Sequence, residues 1–157
     1  MTVLDDQDDR VMGLDHWSDV IRGQEGNDVL RGLGGSDILK GGRGNDHLFG
    51  DAGNDYLVGG RGNDLLVGYL GDDLLKGGRG SDLFWLDVES GLDTILDFVV
   101  GEDRLLLAQG LDINDLIFVQ GSGEYAEDTL IQVVAEQQIL GVLANTAVEA
   151  VSSAVLI

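Results

Sequence analysis

The sequence predicts an all-β fold, a solenoid of two stacked parallel sheets, and three regularities point to it. From Gly23 to Trp85 a nine-residue unit recurs seven times in unbroken register: GQEGNDVLR, GLGGSDILK, GGRGNDHLF, GDAGNDYLV, GGRGNDLLV, GYLGDDLLK and GGRGSDLFW. Glycine stands first in every copy (Gly23, Gly32, Gly41, Gly50, Gly59, Gly68, Gly77) and fourth in every copy, where the chain must turn or approach a neighbour too closely for a Cβ. Position six is always aspartate (Asp28, Asp37, Asp46, Asp55, Asp64, Asp73, Asp82), and position eight is always a large apolar residue, Leu30 through Phe84.

A six-residue turn followed by a three-residue strand with one inward side chain satisfies this pattern. Nine residues are too few to close a turn of a two-sheet solenoid, so two copies make one coil. A flexible acidic linker has no reason to place an apolar residue every ninth position.

The unit G-G-x-G-x-D-x-U-x, with U apolar, resembles the RTX (repeats-in-toxin) hemolysin-type calcium-binding repeat. That resemblance implies a right-handed parallel β-roll. A worn copy, LDHWSDVIR, extends it backward with Asp19 and Ile21 in the sixth and eighth places but Leu14, Asp15 and Trp17 where glycines belong. It is expected to cap the roll, with Trp17 or Val20 over the open end.

Physical chemistry points to the same ion. Sixth-position aspartates eighteen residues apart fall on neighbouring coils, in two columns: Asp19, Asp37, Asp55, Asp73 and Asp28, Asp46, Asp64, Asp82. At the ~4.8 Å strand spacing, two bare carboxylates repel by about 3 kcal/mol at an effective dielectric near 20. Such columns require cations, and carboxylates joined by turn carbonyls suit a hard ion with many oxygen ligands, calcium rather than magnesium. Cysteine is absent and only His16 and His47 occur, which leaves zinc and copper without a cage. The site prediction is therefore the seven sixth-position aspartates with Asp19 and the first-position glycines, holding about five to seven calcium ions. Asp72 either strengthens its site or adds surface charge.

Ordering a glycine-dense chain is costly, and one inward apolar side chain per repeat returns little. The roll is accordingly expected to be disordered without calcium and ordered with it.

Residues 1–22 read as an acidic, poorly ordered tail plus the degenerate cap, 23–85 as the roll, and 86–157 as a β-rich cap. After Leu86 the segment GLDTILDFVVGEDRLLL resembles the D-T-I-x-D-F-x-x-G-x-D-x-L closure of RTX rolls, which implies that Asp93, Asp97 and Asp103 ligate a last calcium or cap the final coil. Beyond it, 116–120, 128–134 and 138–143 read as strands, and Thr146 with Glu149 as a capping box for a short helix reaching Val151. The terminal SSAVLI resembles the uncleaved signal read by type I secretion systems; an ordinary last strand is the other reading.

Outward positions seven and nine make one sheet apolar toward its carboxyl end, at Phe49, Val67 and Trp85. The carboxyl-terminal segment is expected to fold over these three, a partner protein being the alternative. Arg43, Arg61 and Arg79 share the third position at eighteen-residue intervals and are expected to stack along one edge. Charge balance beside the carboxylates is one reading; a ladder for an anion or polysaccharide is the other.

The formal net charge of −20, from 29 acids against 9 bases, disfavours nucleic acid and anionic membranes. No run of eighteen apolar residues suggests a membrane span. No basic-then-apolar leader is visible at the amino terminus, so a secreted location without an N-terminal signal peptide is expected, with the type I secretion apparatus as partner. HExxH, GxSxG and P-loop motifs are absent, and the carboxylates are accounted for by metal binding, so no catalytic residue is assigned. The functional expectation is a secreted calcium-binding module that folds in extracellular calcium. The alternative is a calcium-dependent adhesion or interaction protein that holds a partner or polysaccharide on its outer sheet face. An intracellular calcium buffer or sensor forms a third class.

Overall fold

The computed structural model describes residues 2–3, 7–88, 91–108, 111, 114, 116–122, 127–133 and 139–146. It is nearly all β, a solenoid of about five turns. Odd-numbered strands β1 (Thr2–Val3), β3 (Val20–Glu25), β5 (Ile38–Arg43), β7 (Tyr56–Arg61), β9 (Leu74–Arg79) and β11 (Asp93–Ile95) stack in parallel as one sheet. Even-numbered strands β2 (Arg10–Met12), β4 (Val29–Gly34), β6 (His47–Ala52), β8 (Leu65–Leu70), β10 (Leu83–Leu86) and β12 (Arg104–Leu107) form the other. Each eighteen-residue step pairs like with like, for example Leu39 with Leu57 and Leu57 with Leu75.

Strands β4 to β9 each span six residues, twice the three expected, because stacking continues the ladder through positions one to three. Gly42 pairs with Gly60 and Arg43 with Arg61, as regularly as the apolar positions do. The core is one file of inward side chains: Leu30, Leu39, Leu48, Leu57, Leu66, Leu75 and Phe84 are each 0 % exposed. Since every repeat contributes a single such side chain, we predict that Leu57→Ala costs about 2–5 kcal/mol, read as a lowered urea midpoint of the calcium-loaded protein.

The roll is longer than the unbroken repeats. Residues 7–13, expected to be poorly ordered, carry β2, which pairs Val11 with Leu30. The worn copy starts at Gly13, not Leu14. A Cβ on Gly13 would stand 2.5 Å from the Gly32 carbonyl oxygen and 2.8 Å from Asp19 Oδ2, which is the close approach met at first-position glycines. Its loop therefore holds one extra residue, and His16 takes a left-handed φ of 69° within it. Neither Trp17 nor Val20 covers the end: Trp17 is 70 % exposed, and β1 and β2 form the terminal strands of the two sheets.

At the other end the pattern persists past Leu86 in shortened form. Gly91–Leu92–Asp93–Thr94–Ile95 supplies β11, and Gly101–Glu102–Asp103–Arg104–Leu105 leads into β12, with φ of 125° at Gly91 and 90° at Gly101. Strands β13 (Leu116–Gln120), β14 (Thr129–Val133) and β15 (Ile139–Leu143) form as expected. They make an antiparallel meander joined to β11 through β15, whose register pairs Asp93 with Gly141 and Ile95 with Leu143.

This placement corrects the expectation that the segment folds over Phe49, Val67 and Trp85. Strands β13 to β15 prolong the opposite sheet instead, and Leu86, Leu105, Leu116, Ile131 and Leu143 carry the core past the last coil. Val67, an outward residue, is nevertheless only 3 % exposed, standing beside its register partner Phe49 on one flank and the strand of Trp85 on the other. Of the helix expected from Thr146 through Glu149 to Val151, everything beyond Thr146 lies outside the described residues, as does the SSAVLI terminus.

Candidate metal centre

The carboxylates occupy the turns between the sheets, and the local backbone explains their position. Fourth-position glycines take φ between 115° (Gly26) and 133° (Gly71), a left-handed conformation that costs an L-residue about 1–2 kcal/mol. First-position glycines serve differently. Their φ is ordinary, but a Cβ on them would lie 1.9 Å (Gly23) to 2.3 Å (Gly77) from the Oδ2 of the aspartate five residues on. The missing side chain is what allows the carboxylate to fold back into its own turn.

Each aspartate then uses its two oxygens differently. Oδ1 accepts the backbone N–H of the aspartate one coil earlier: Asp37 from Asp19 at 2.6 Å, Asp46 from Asp28 at 2.8 Å, Asp55 from Asp37 at 2.7 Å, Asp64 from Asp46 at 2.8 Å, Asp73 from Asp55 at 2.7 Å and Asp82 from Asp64 at 2.9 Å. These bonds knit the two predicted columns. Oδ2 of Asp37, Asp46, Asp55, Asp64, Asp73 and Asp82 is buried, with no hydrogen-bond partner among the described residues.

A backbone carbonyl oxygen from the next coil borders the same space. The Cβ-sized gap over Gly32 is flanked by Asp37 Oδ2 at 2.2 Å and Gly50 O at 2.8 Å; over Gly59, by Asp64 Oδ2 at 2.3 Å and Gly77 O at 2.7 Å. Asp28 Oδ2 and Gly41 O meet in the same way over Gly23, as do Asp55 Oδ2 and Gly68 O over Gly50. Buried anionic oxygens unsatisfied by protein donors are costly, and the convergent carbonyls offer them no hydrogen. A cation with all-oxygen ligands fits this donor set. No group of three or more His, Cys, Asp or Glu side chains suited to a metal occurs among the described residues, so backbone carbonyls must supply the balance of the ligands.

Electrostatics agree with that reading. Burial, reinforced by neighbouring carboxylates, pushes Asp46 and Asp82 up to about 6 and Asp55 and Asp64 up to about 7, against the lowering effect of the backbone N–H each accepts. Asp93 is pushed up to about 8, by burial first and by Asp73 next. Burial likewise raises Asp37, Asp73 and Asp103. Without a bound cation these groups compete poorly for negative charge.

The remaining predicted residues divide. Asp19 Oδ2 accepts the Leu14 N–H at 2.6 Å, so its carboxylate is satisfied by its own irregular loop. Asp93 Oδ1 accepts the Asp73 N–H at 3.2 Å and Asp103 Oδ1 the Asp82 N–H at 2.9 Å, which puts both in the sixth-position role of the closing coil. Asp97 instead caps the end of β9, accepting the N–H groups of Gly77 at 2.9 Å and Gly78 at 3.1 Å. Asp72 Oδ1 accepts the Leu92 N–H at 2.9 Å, a structural bond. Sequence reasoning missed Asp9, whose N–H donates to Asp28 Oδ1 at 2.8 Å and whose Oδ2 is also buried without a partner among the described residues. The D-x-V run of Asp9 and Val11 was its one signal, hidden by a nineteen-residue offset from Asp28.

The family model for the RTX calcium-binding nonapeptide repeat matches the chain in four copies, at residues 18–48, 32–66, 49–84 and 59–95. No curated protein matches the sequence. Among solved structures, the extracellular lipase LipA from Serratia marcescens is similar over 98 % of this chain and 39 % of its own, at 18 % identity and a TM-score of 0.55. That likeness concerns the fold, and the chain spans well under half of the lipase. Repeats, stacked turns and buried aspartate columns converge on one assignment: residues 18–95 are RTX calcium-binding repeats, and the chain belongs through them to the RTX repeat family.

Proposed function

We propose that this chain is a non-catalytic calcium-binding module whose roll orders around several calcium ions outside the cell. The observation that carries the reading is the row of buried Oδ2 atoms without a hydrogen-bond partner among the described residues, those of Asp37, Asp55 and Asp64 standing beside a carbonyl oxygen of the next coil. Asp28, Asp37, Asp46, Asp55, Asp64, Asp73 and Asp82 with the first-position glycine carbonyls are the proposed ligands, and Asp19 and Asp97 are proposed as structural. Calcium supplies positive charge to oxygens the protein cannot itself satisfy; the chain supplies their spacing and keeps water out.

RTX repeats are typical of secreted proteins, and no helix among the described residues is long and apolar enough to cross a membrane. The repeats support an extracellular role with export through a type I apparatus. Affinity provides the test, because extracellular modules bind calcium at about 10⁻⁴ to 10⁻³ M and cytosolic sensors at about 10⁻⁷ to 10⁻⁵ M. Calorimetric titration is expected to give half-saturation in the weaker range. Submicromolar half-saturation would make the chain a sensor or buffer and refute the extracellular reading.

A further inference from the structure

The arginine row offers a second site. Arg43, Arg61 and Arg79 stand in register at the ends of β5, β7 and β9, one strand apart. They wall an open trough of about 650 Å³ whose floor is the backbone of Gly42 and Gly60, with Glu25 at its amino-terminal end. Glu25 is the register partner of Arg43 and forms a salt bridge with it. No salt bridge among the described residues involves Arg61 or Arg79, and both are exposed.

Charge balance does not account for this row. The carboxylates along the same edge, Asp46, Asp64 and Asp82, are buried, with Oδ1 spent on backbone N–H groups and Oδ2 turned toward the first-position glycine of their own turn. No ion pair links any of the three to Arg43, Arg61 or Arg79 among the described residues. The guanidiniums face outward over a floor without side chains.

From this arrangement we infer that the trough binds a linear acidic polysaccharide, with uronate carboxylates of one chain on Arg61 and Arg79. Guanidinium groups take carboxylates bidentately, and register stacking sets the two strands that carry them ~4.8 Å apart, so two long side chains reach carboxylates of one polymer. The glycine floor lets a flat polymer lie against the backbone, and the trough has no aromatic wall on which nucleic-acid bases would stack. Glu25 neutralises Arg43 and directs the polymer toward Arg79. This inference rests on the calcium-loaded roll, since the strands must be stacked for the row to exist.

The test uses the whole chain in saturating calcium, its folding verified by circular dichroism, titrated calorimetrically with galacturonate oligomers too short to gel with calcium. Saturable binding is expected, and R61Q/R79Q should weaken it about tenfold or more while leaving the calcium-induced dichroism unchanged. K40Q/K76Q removes the same charge elsewhere on the same sheet and should leave binding intact. Absence of binding by the folded wild type overturns the inference, as does equal weakening in the lysine variant. Equal affinity for single-stranded DNA or polyglutamate would also overturn it, by showing an unspecific response to polyanions. A chain that does not fold in calcium fails at the preceding step and refutes the proposed function instead.

Discussion

Gly59→Ala is expected to be among the most damaging single substitutions in the roll. The added Cβ would stand 2.3 Å from Asp64 Oδ2 and 2.7 Å from Gly77 O, the two oxygens proposed to face one cation. Neither can retreat easily: Asp64 Oδ1 is tied to the Asp46 N–H, and Gly77 lies in the ladder of β9. The methyl group therefore both strains the turn and displaces the ion. We expect a loss of about 4 kcal/mol or more of calcium-dependent stability, seen as a shift of the calcium midpoint to much higher concentration. Gly34→Ala is the contrast, because its Cβ would meet only Asp15 Oδ1 at 3.1 Å and His16 N at 3.3 Å, in an exposed loop able to give. If both variants respond to calcium like wild type, the cradle over the first glycine is not the binding place.

The second large effect concerns pH. A carboxyl raised on folding contributes stability that is fully present below its unfolded pKa, near 3.9, and is lost as pH rises through the folded value. For Asp46 and Asp82 that loss falls near pH 6, for Asp55 and Asp64 near 7 and for Asp93 near 8. In chelator, then, the roll should hold more β structure at pH 4 than at pH 8. Calcium inverts the trend, since it competes with protons for the same oxygens, and its apparent affinity should fall as pH drops below about 7. The double variant Asp55→Asn/Asp64→Asn separates the two effects: it should gain order in chelator at pH 8 yet bind calcium more weakly. A metal-free protein equally structured at both pH values would show that the cost of burying charged aspartates does not govern its folding.

The repeated copies were legible because identical chemistry every nine residues admits few folds. Both columns, the inward file from Leu30 to Phe84 and the stacked arginines could be placed from spacing alone. Copies with altered loop lengths were harder to read: Asp93 and Asp103 were legible only through the resemblance of the closing segment, and Asp9 was missed. Asp9, Asp93 and Asp103 stand nineteen, twenty and twenty-one residues from their column neighbours Asp28, Asp73 and Asp82, so a strict period does not reach them. The ladder register is kept across these insertions, Val11 pairing with Leu30, Ile95 with Leu75 and Leu105 with Phe84. G-x-D-x-U in GLDTI and GEDRL was the residual signal. The course of the carboxyl-terminal meander was not legible, because alternation in 116–120, 129–133 and 139–143 specifies strands without specifying which sheet edge receives them.

Far-ultraviolet circular dichroism during a calcium titration at pH 8, with magnesium in parallel, decides whether the ions hold the roll together. A cooperative transition from coil to β structure is expected with calcium near 10⁻⁴ to 10⁻³ M and not with magnesium, which demands a tighter octahedral shell than carbonyl-rich turns supply. A full β spectrum already present in chelator at that pH would contradict the account, and would mean that apolar packing and the carboxyl-terminal meander hold the coils without metal.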